Sequence, residues 1–149
     1  MKISTRARYA IRMMLDIWRR TDGDHPVRLD EVAGRTGISR RYLDQLVLPL
    51  KGAGLLRGVK GPGGGYLLGR PAQEIPLGEI VEAEIGPIAL VDCVQNLEVC
   101  DRQDTCACNL VYRLVSARVR ATLDGLSLAD LDRPERLGEL RSELASLES

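Results

Sequence analysis

All four cysteines of the chain, Cys93, Cys100, Cys106 and Cys108, lie within sixteen consecutive residues, and the other 133 contain none. A chain of 149 residues buries a core without staples, so thiols this concentrated point to metal binding or redox chemistry and not to structural cross-links. Their spacing is C-x6-C-x5-C-x-C. Structural zinc sites usually use paired C-x2-4-C knuckles, which are missing, so zinc is disfavoured. Irregularly spaced thiolates on a loop suit an iron-sulfur cluster, 2Fe-2S or 4Fe-4S, whose several metal corners accept ligands from separated positions. A third option is a sensor thiol, oxidised and then resolved by a neighbouring cysteine. No His or Ser nucleophile constellation accompanies them, so an enzyme is not expected.

The elements around the thiols are charged unevenly. The net charge is zero, but residues 1–70 hold fourteen Lys/Arg against six Asp/Glu, and residues 71–149 hold seven against fifteen. A polyanion responds to the local field, so a basic contact module joined to an acidic remainder fits double-stranded DNA as partner. The opening MKISTRARYAIRMM has no apolar run long enough for a signal peptide or membrane span, which implies a cytoplasmic protein without a membrane partner.

Along the chain, Ser4 or Thr5 can cap a first helix whose apolar positions Ala7, Ile11, Met14, Leu15 and Trp18 follow helical spacing. Its early turns carry Arg6, Arg8 and Arg12, where the helix dipole disfavours cations and a phosphate would relieve the cost. The only histidine, His25, falls in a loop beside Pro26 and reads as solvated. Residues 29–50 give two short helices joined at Gly37: Ile38 plugs the gap, Ser39 caps the second, and Leu43, Leu46, Val47 and Leu50 point inward. Arg40, Arg41, Asp44 and Gln45 are left outward, with side chains suited to base edges in a major groove, so the pair reads as a helix-turn-helix. Pro49 is expected to bend the second helix near its end.

Residues 55–70 read as two strands around Gly61-Pro62-Gly63-Gly64-Gly65. The turn lacks the Lys-Ser/Thr ending of a phosphate-binding loop and precedes a strand, so it is a hairpin wing. Arg57, Lys60 and Gly61 there, and Arg28 before the helix pair, complete the expected DNA-contact set. A short acidic helix at 75–86 follows. Past the cysteines, Leu110, Val111, Leu114, Val115, Val119 and Leu123 form a wide apolar stripe on a long helix, better suited to a partner subunit than to a private core. Leu137, Leu140, Leu144 and Leu147 repeat in a 3-4-3 rhythm on the tail.

The combination of RYAIRMMLD, GISRRYLDQLVLPLKGAGLL, GPGGGYLLGR and a cysteine loop before a long helix resembles the iron-sulfur cluster regulators, the IscR-like and NsrR-like winged-helix transcription factors, over residues 1 to about 130. The resemblance implies a homodimer whose cluster state changes its affinity for a palindromic operator. By match, Cys93, Cys100 and Cys106 correspond to the three cluster ligands. Ser39, Arg41, Tyr42, Asp44 and Gln45 fall on the recognition-helix contacts, and Lys60 falls where an arginine enters the minor groove. The fourth ligand departs from the pattern: Asn109 stands where the IscR-like branch has histidine, and Arg8 where the NsrR-like branch has an acidic residue. Cys108 is the replacement we expect. The first cysteine gap is also one residue longer than in the IscR-like pattern.

The expected architecture is mainly α with a small β-hairpin wing. It comprises a winged helix-turn-helix over 1–72, a connecting helix over 73–92, a cluster-binding loop over 93–108, and a dimerisation helix with helical tail over 109–149. The expected function is a DNA-binding transcription regulator, acting as a repressor and switched by an iron-sulfur cluster that senses redox state, nitric oxide or cluster supply. A zinc or thiol-redox regulator with the same head is the alternative, and a small electron-transfer iron-sulfur protein the weaker one.

Overall fold

The computed structural model describes residues 2–96, 98–102 and 105–149. Helix α1, Thr5–Arg20, starts at Ser4, whose hydroxyl accepts the Ala7 amide at 3.1 Å. Its buried face is Ala7, Ala10, Met13, Met14 and Ile17. Ile11, Leu15 and Trp18, expected on that face, lie half-buried at its rim. More than half of the helix circumference is apolar, so periodicity admits two overlapping stripes, and the packing partners select between them.

The chain then turns through α2, Leu29–Thr36, and α3, Arg40–Gly52. Gly37 takes the left-handed conformation (φ 74°) that ends α2 at little steric cost. The Ser39 hydroxyl accepts the Tyr42 amide at 3.2 Å and starts α3. Leu43, Leu46, Val47 and Leu50 are buried at the expected spacing. Pro49 lies inside α3, yet the helix runs on to Gly52. Proline brings no amide to the carbonyl four residues back, which belongs to Gln45. Arg6 Nη2 donates to that oxygen instead, at 3.2 Å.

Strands β1, Leu56–Val59, and β2, Gly65–Leu68, pair antiparallel with Leu56 opposite Leu68 and Val59 opposite Gly65. Val27 adds a rung on the free side of β2, exchanging hydrogen bonds of 2.9 and 2.8 Å with Tyr66. A Cβ on Gly65 would stand 2.5 Å from the Val27 carbonyl oxygen, so this close approach requires glycine.

Beyond a 3-10 turn at Ala72–Glu74 come α4, Leu77–Ile85, the single turn α5, Asp92–Gln95, and α6, Ala107–Asp124. A further 3-10 turn, Leu128–Asp132, carries a capping box between Ser127 and Asp130 and leads into α7, Pro134–Glu148. Leu77, Ile80, Leu128 and Ala129 join α1 to α3 in one hydrophobic core. Hydrogen bonds from Leu77 N to Leu126 O and from Leu128 N to Ile75 O, both 2.8 Å, tie the two regions together. The connecting helix is therefore part of the head's core, and α1 packs chiefly against it. The α7 seam is open: Leu137 and Leu140 are half-buried, while Leu144 and Leu147 are exposed. Among the described residues no helix is long and apolar enough to cross a membrane.

Candidate metal centre and nucleic-acid interface

The expected cysteine loop is bounded by helix at both ends. Cys93 sits in α5, Cys100 on the intervening loop, Cys106 at the N-cap of α6, and Cys108 within that helix's first turn. Cys93, Cys100 and Cys106 are half-buried, Cys108 is exposed, and all four are free thiols. Among the described residues no side chain caps the α6 N-terminus, and its first turn has no acidic residue. Asn109, 5 % exposed, donates from Nδ2 to the Cys93 carbonyl at 3.2 Å and to Cys93 Sγ at 3.4 Å. The donors fit thiophilic iron chemistry: soft sulfurs, a helix terminus and an N–H···S contact. Among the described residues, however, no three His, Cys, Asp or Glu side chains stand close enough together to hold one metal ion.

Well away in sequence, α3 and the wing share the basic half. Arg41, Asp44, Gln45 and the cap Ser39 are exposed. Tyr42 is half-buried, its ring edge-on to Tyr9 of α1 with centroids 5.6 Å apart, and Arg12 lies 5.2 Å over the Tyr9 ring. On the wing, Arg57, Lys60 and Gly61 are exposed, and Gly61 has φ 90°. Among the described residues no carboxylate pairs with Arg41, Arg57 or Lys60. Arg40 and Arg28 differ. Arg40 Nη1 bonds Asp30 at 2.8 Å and its Nε bonds Asp44 at 3.3 Å, and these hydrogen bonds raise its pKa above the ordinary arginine value. Arg28 lies 3.7 Å from the same Asp30. Both cations, and Asp44, are thus already held by neighbours on the exposed face.

The apolar stripe of α6 divides. Val115, Val119 and Leu123 are half-buried, lining with Val81 and Ile85 of α4 an apolar cavity of about 220 Å³. Leu110, Val111 and Leu114 remain 68, 56 and 53 % exposed. The Ser116 hydroxyl accepts the Leu90 amide at 2.8 Å and pins the segment leading to the cysteines onto α6.

Residues 3–134 match the Rrf2 family, described as iron-dependent transcriptional regulators. The chain belongs to the Rrf2 family. This Rrf2 protein is 37 % identical over 131 residues to the HTH-type transcriptional regulator IscR of Serratia proteamaculans, covering 88 % of this chain and 79 % of that one. It is 36 % identical over 137 residues to IscR of Sodalis glossinidius, covering 92 % and 82 %. Among solved structures, CymR of B. subtilis, a global cysteine regulator, superposes with TM-score 0.72 at 34 % identity over 88 % of this chain and 95 % of that one. IscR of T. potens superposes with TM-score 0.70 at 31 % identity over 88 % and 85 %. The Rrf2 chain is a helix-turn-helix transcription regulator with a hairpin wing, and its relatives are DNA-binding regulators, not enzymes. The sequence found the thiols and the helix pair. It missed Asn109 as the partner of Cys93, and it missed Glu84, which has no motif and acquires its surroundings only through the fold.

Proposed function

We propose that this Rrf2 regulator acts in the cytoplasm as a homodimer on a palindromic operator, as a repressor whose DNA affinity is set by an iron-sulfur cluster. The cluster would be held by Cys93, Cys100 and Cys106, with Cys108 as the fourth ligand. When bound, such a cluster supplies a centre that redox agents and nitric oxide attack. The observation that carries the reading is that one chain presents Ser39, Arg41 and Gln45 of a capped α3 to solvent and places Cys93 in α5 and Cys106 and Cys108 at the start of α6. Holding iron would require these sulfurs to be drawn together, a rearrangement between the helices that bound the loop. Ser39, Arg41, Tyr42, Gln45 and Asp44 serve α3's approach to bases, with Arg57, Lys60 and Gly61 along the backbone. The existing ion pairs of Arg40 and Arg28 make them the weaker contacts of the set.

Leu110, Val111 and Leu114 offer the surface for a second copy, and two-fold symmetry would match two half-sites. Leu114→Arg is expected to sediment as a monomer. To shift promoter occupancy usefully, loaded and empty forms must differ by ~1 to 3 kcal/mol in DNA binding. Anaerobic purification with an absorption spectrum and iron, sulfide and zinc analysis, followed by DNA titration of both forms, tests the proposal. Equal affinities would remove the switch and leave the DNA reader. The second reading is a cluster-free thiol regulator, supported by the exposed Cys108 and by a relative solved in an oxidized form, CymR of Staphylococcus aureus. Iron-free protein whose DNA affinity falls on mild oxidation would favour it.

A further inference from the structure

Arg6 joins three helices. It projects from the first turn of α1, donates from Nη2 to the Gln45 carbonyl of α3, and brings Nε to 2.8 Å from Glu84 Oε2 on α4. The Gln45 carbonyl is the one that Pro49 leaves without a backbone donor. The Glu84 side chain is fully buried, and neither of its oxygens has an aligned hydrogen bond among the described residues. A carboxylate so placed is costly unless a cation faces it, so Arg6 is held where it is by need on both sides.

The same helix α4 faces the cysteine-bearing half with Glu82, two residues earlier. Glu82 pairs with Arg120 of α6 at 3.0 Å and accepts the Ile88 amide at 3.5 Å. One face of α4 thus grips α6 and the segment leading to the thiols, while the other reaches α3 through Arg6. One turn along α1, Tyr9 packs on Tyr42 of α3, so α1 holds the recognition helix at two points.

We propose that Arg6 is a positioning residue for DNA reading: it replaces the backbone donor that Pro49 withholds from α3 and, braced on Glu84, makes α4 the mechanical link between the thiol segment and the recognition helix. This rests on the reading of α3 as the DNA-contacting helix. A movement of α6 or of residues 86–91 that drags α4 then shifts a guanidinium bonded to the backbone under Gln45.

The test is a cycle between Arg6→Met and Pro49→Ala, read as DNA affinity for an operator selected from a random library and for unrelated DNA. Pro49→Ala restores the amide, so it removes the need for Arg6. In the native background Arg6→Met is expected to weaken operator binding about tenfold, the effect of one hydrogen bond to a charged donor. It should leave binding to unrelated DNA within about twofold. In the Pro49→Ala background the operator loss should shrink to about twofold or less. Arg6→Lys keeps the charge but not the two-sided reach, and should behave like Arg6→Met. Equal losses in both backgrounds would overturn the proposal. So would a loss on all DNA with the salt slope reduced by about one unit, the signature of a direct phosphate contact. For the link, Glu82→Gln is expected to narrow the ratio between loaded and empty forms; an unchanged ratio would overturn that part. If the native protein shows one affinity in both forms, the cluster switch fails while the Arg6–Pro49 cycle still reports on α3.

Discussion

Asn109 Nδ2 reaches both the carbonyl oxygen and the sulfur of Cys93, at 3.2 and 3.4 Å. The amide nitrogen thus ties the first turn of α6 to the first cysteine. Asn109→Ala would leave the Cys93 carbonyl without this donor and is expected to cost about 1 to 3 kcal/mol. Urea melts check the stability, and faster alkylation of Cys93 in the metal-free protein checks the loss of the N–H···S contact. A stable variant with unchanged alkylation would show the contact to be incidental.

Burial pushes the Glu84 carboxyl up to about 7, against the pull of the Arg6 guanidinium. A carboxyl that holds its proton more tightly folded than unfolded makes acid favour the fold. Stability should therefore rise as pH falls from about 7 towards the ordinary value of 4.5, with a slope up to about 1.4 kcal/mol per pH unit. Above 7 this group contributes no further slope. Asp130 acts oppositely and in a lower window, because the Ser127 amide and hydroxyl hold its carboxyl below the usual range. Urea midpoints across this range should show the rise in the native chain and its loss in Glu84→Gln.

The exposed cations divide by pairing. Arg57→Ala and Lys60→Ala are each expected to weaken binding to all DNA and to lower the salt slope by about one unit. Arg40→Ala should change the slope less, because Asp30 and Asp44 already hold its guanidinium. Gln45→Ala should relax base preference and leave the slope unchanged. Titrations at several salt concentrations separate these effects, and a full unit lost from Arg40→Ala would contradict the pairing.

Gly65→Ala tests the wing. The new methyl would meet the Val27 carbonyl, so either the Val27–Tyr66 rung or the β1–β2 register must give way. A loss of at least about 2 kcal/mol is expected, with backbone shifts in nuclear magnetic resonance confined to residues 26–28 and 56–68. Gly37→Ala, by contrast, meets no neighbour and is opposed only by its left-handed backbone.

The helix-turn-helix was legible because its signals are local: a left-handed glycine at Gly37, the Ser39 cap, and four apolar residues at helical spacing. The wing was legible from its glycines. The face of α1 was not, since the choice between Ile11 or Leu15 and Ala10 or Met13 depends on α4, more than sixty residues downstream. Glu84 looked like one more acidic residue on a short acidic helix, and nothing within its own window marks it as buried. The partner of the carbonyl that Pro49 leaves without a donor was hidden for the same reason: it lies on α1, at Arg6. Cys93 was placed on a loop because a single helical turn such as α5 is too short to show a period.

Helix α7 buries none of its fifteen residues. Its last two turns, 141–148, are exposed throughout and can unzip without disturbing the interior. Amide protons along 141–148 should then trade with deuterated solvent far sooner than those of α1, and a protease would find its first foothold there.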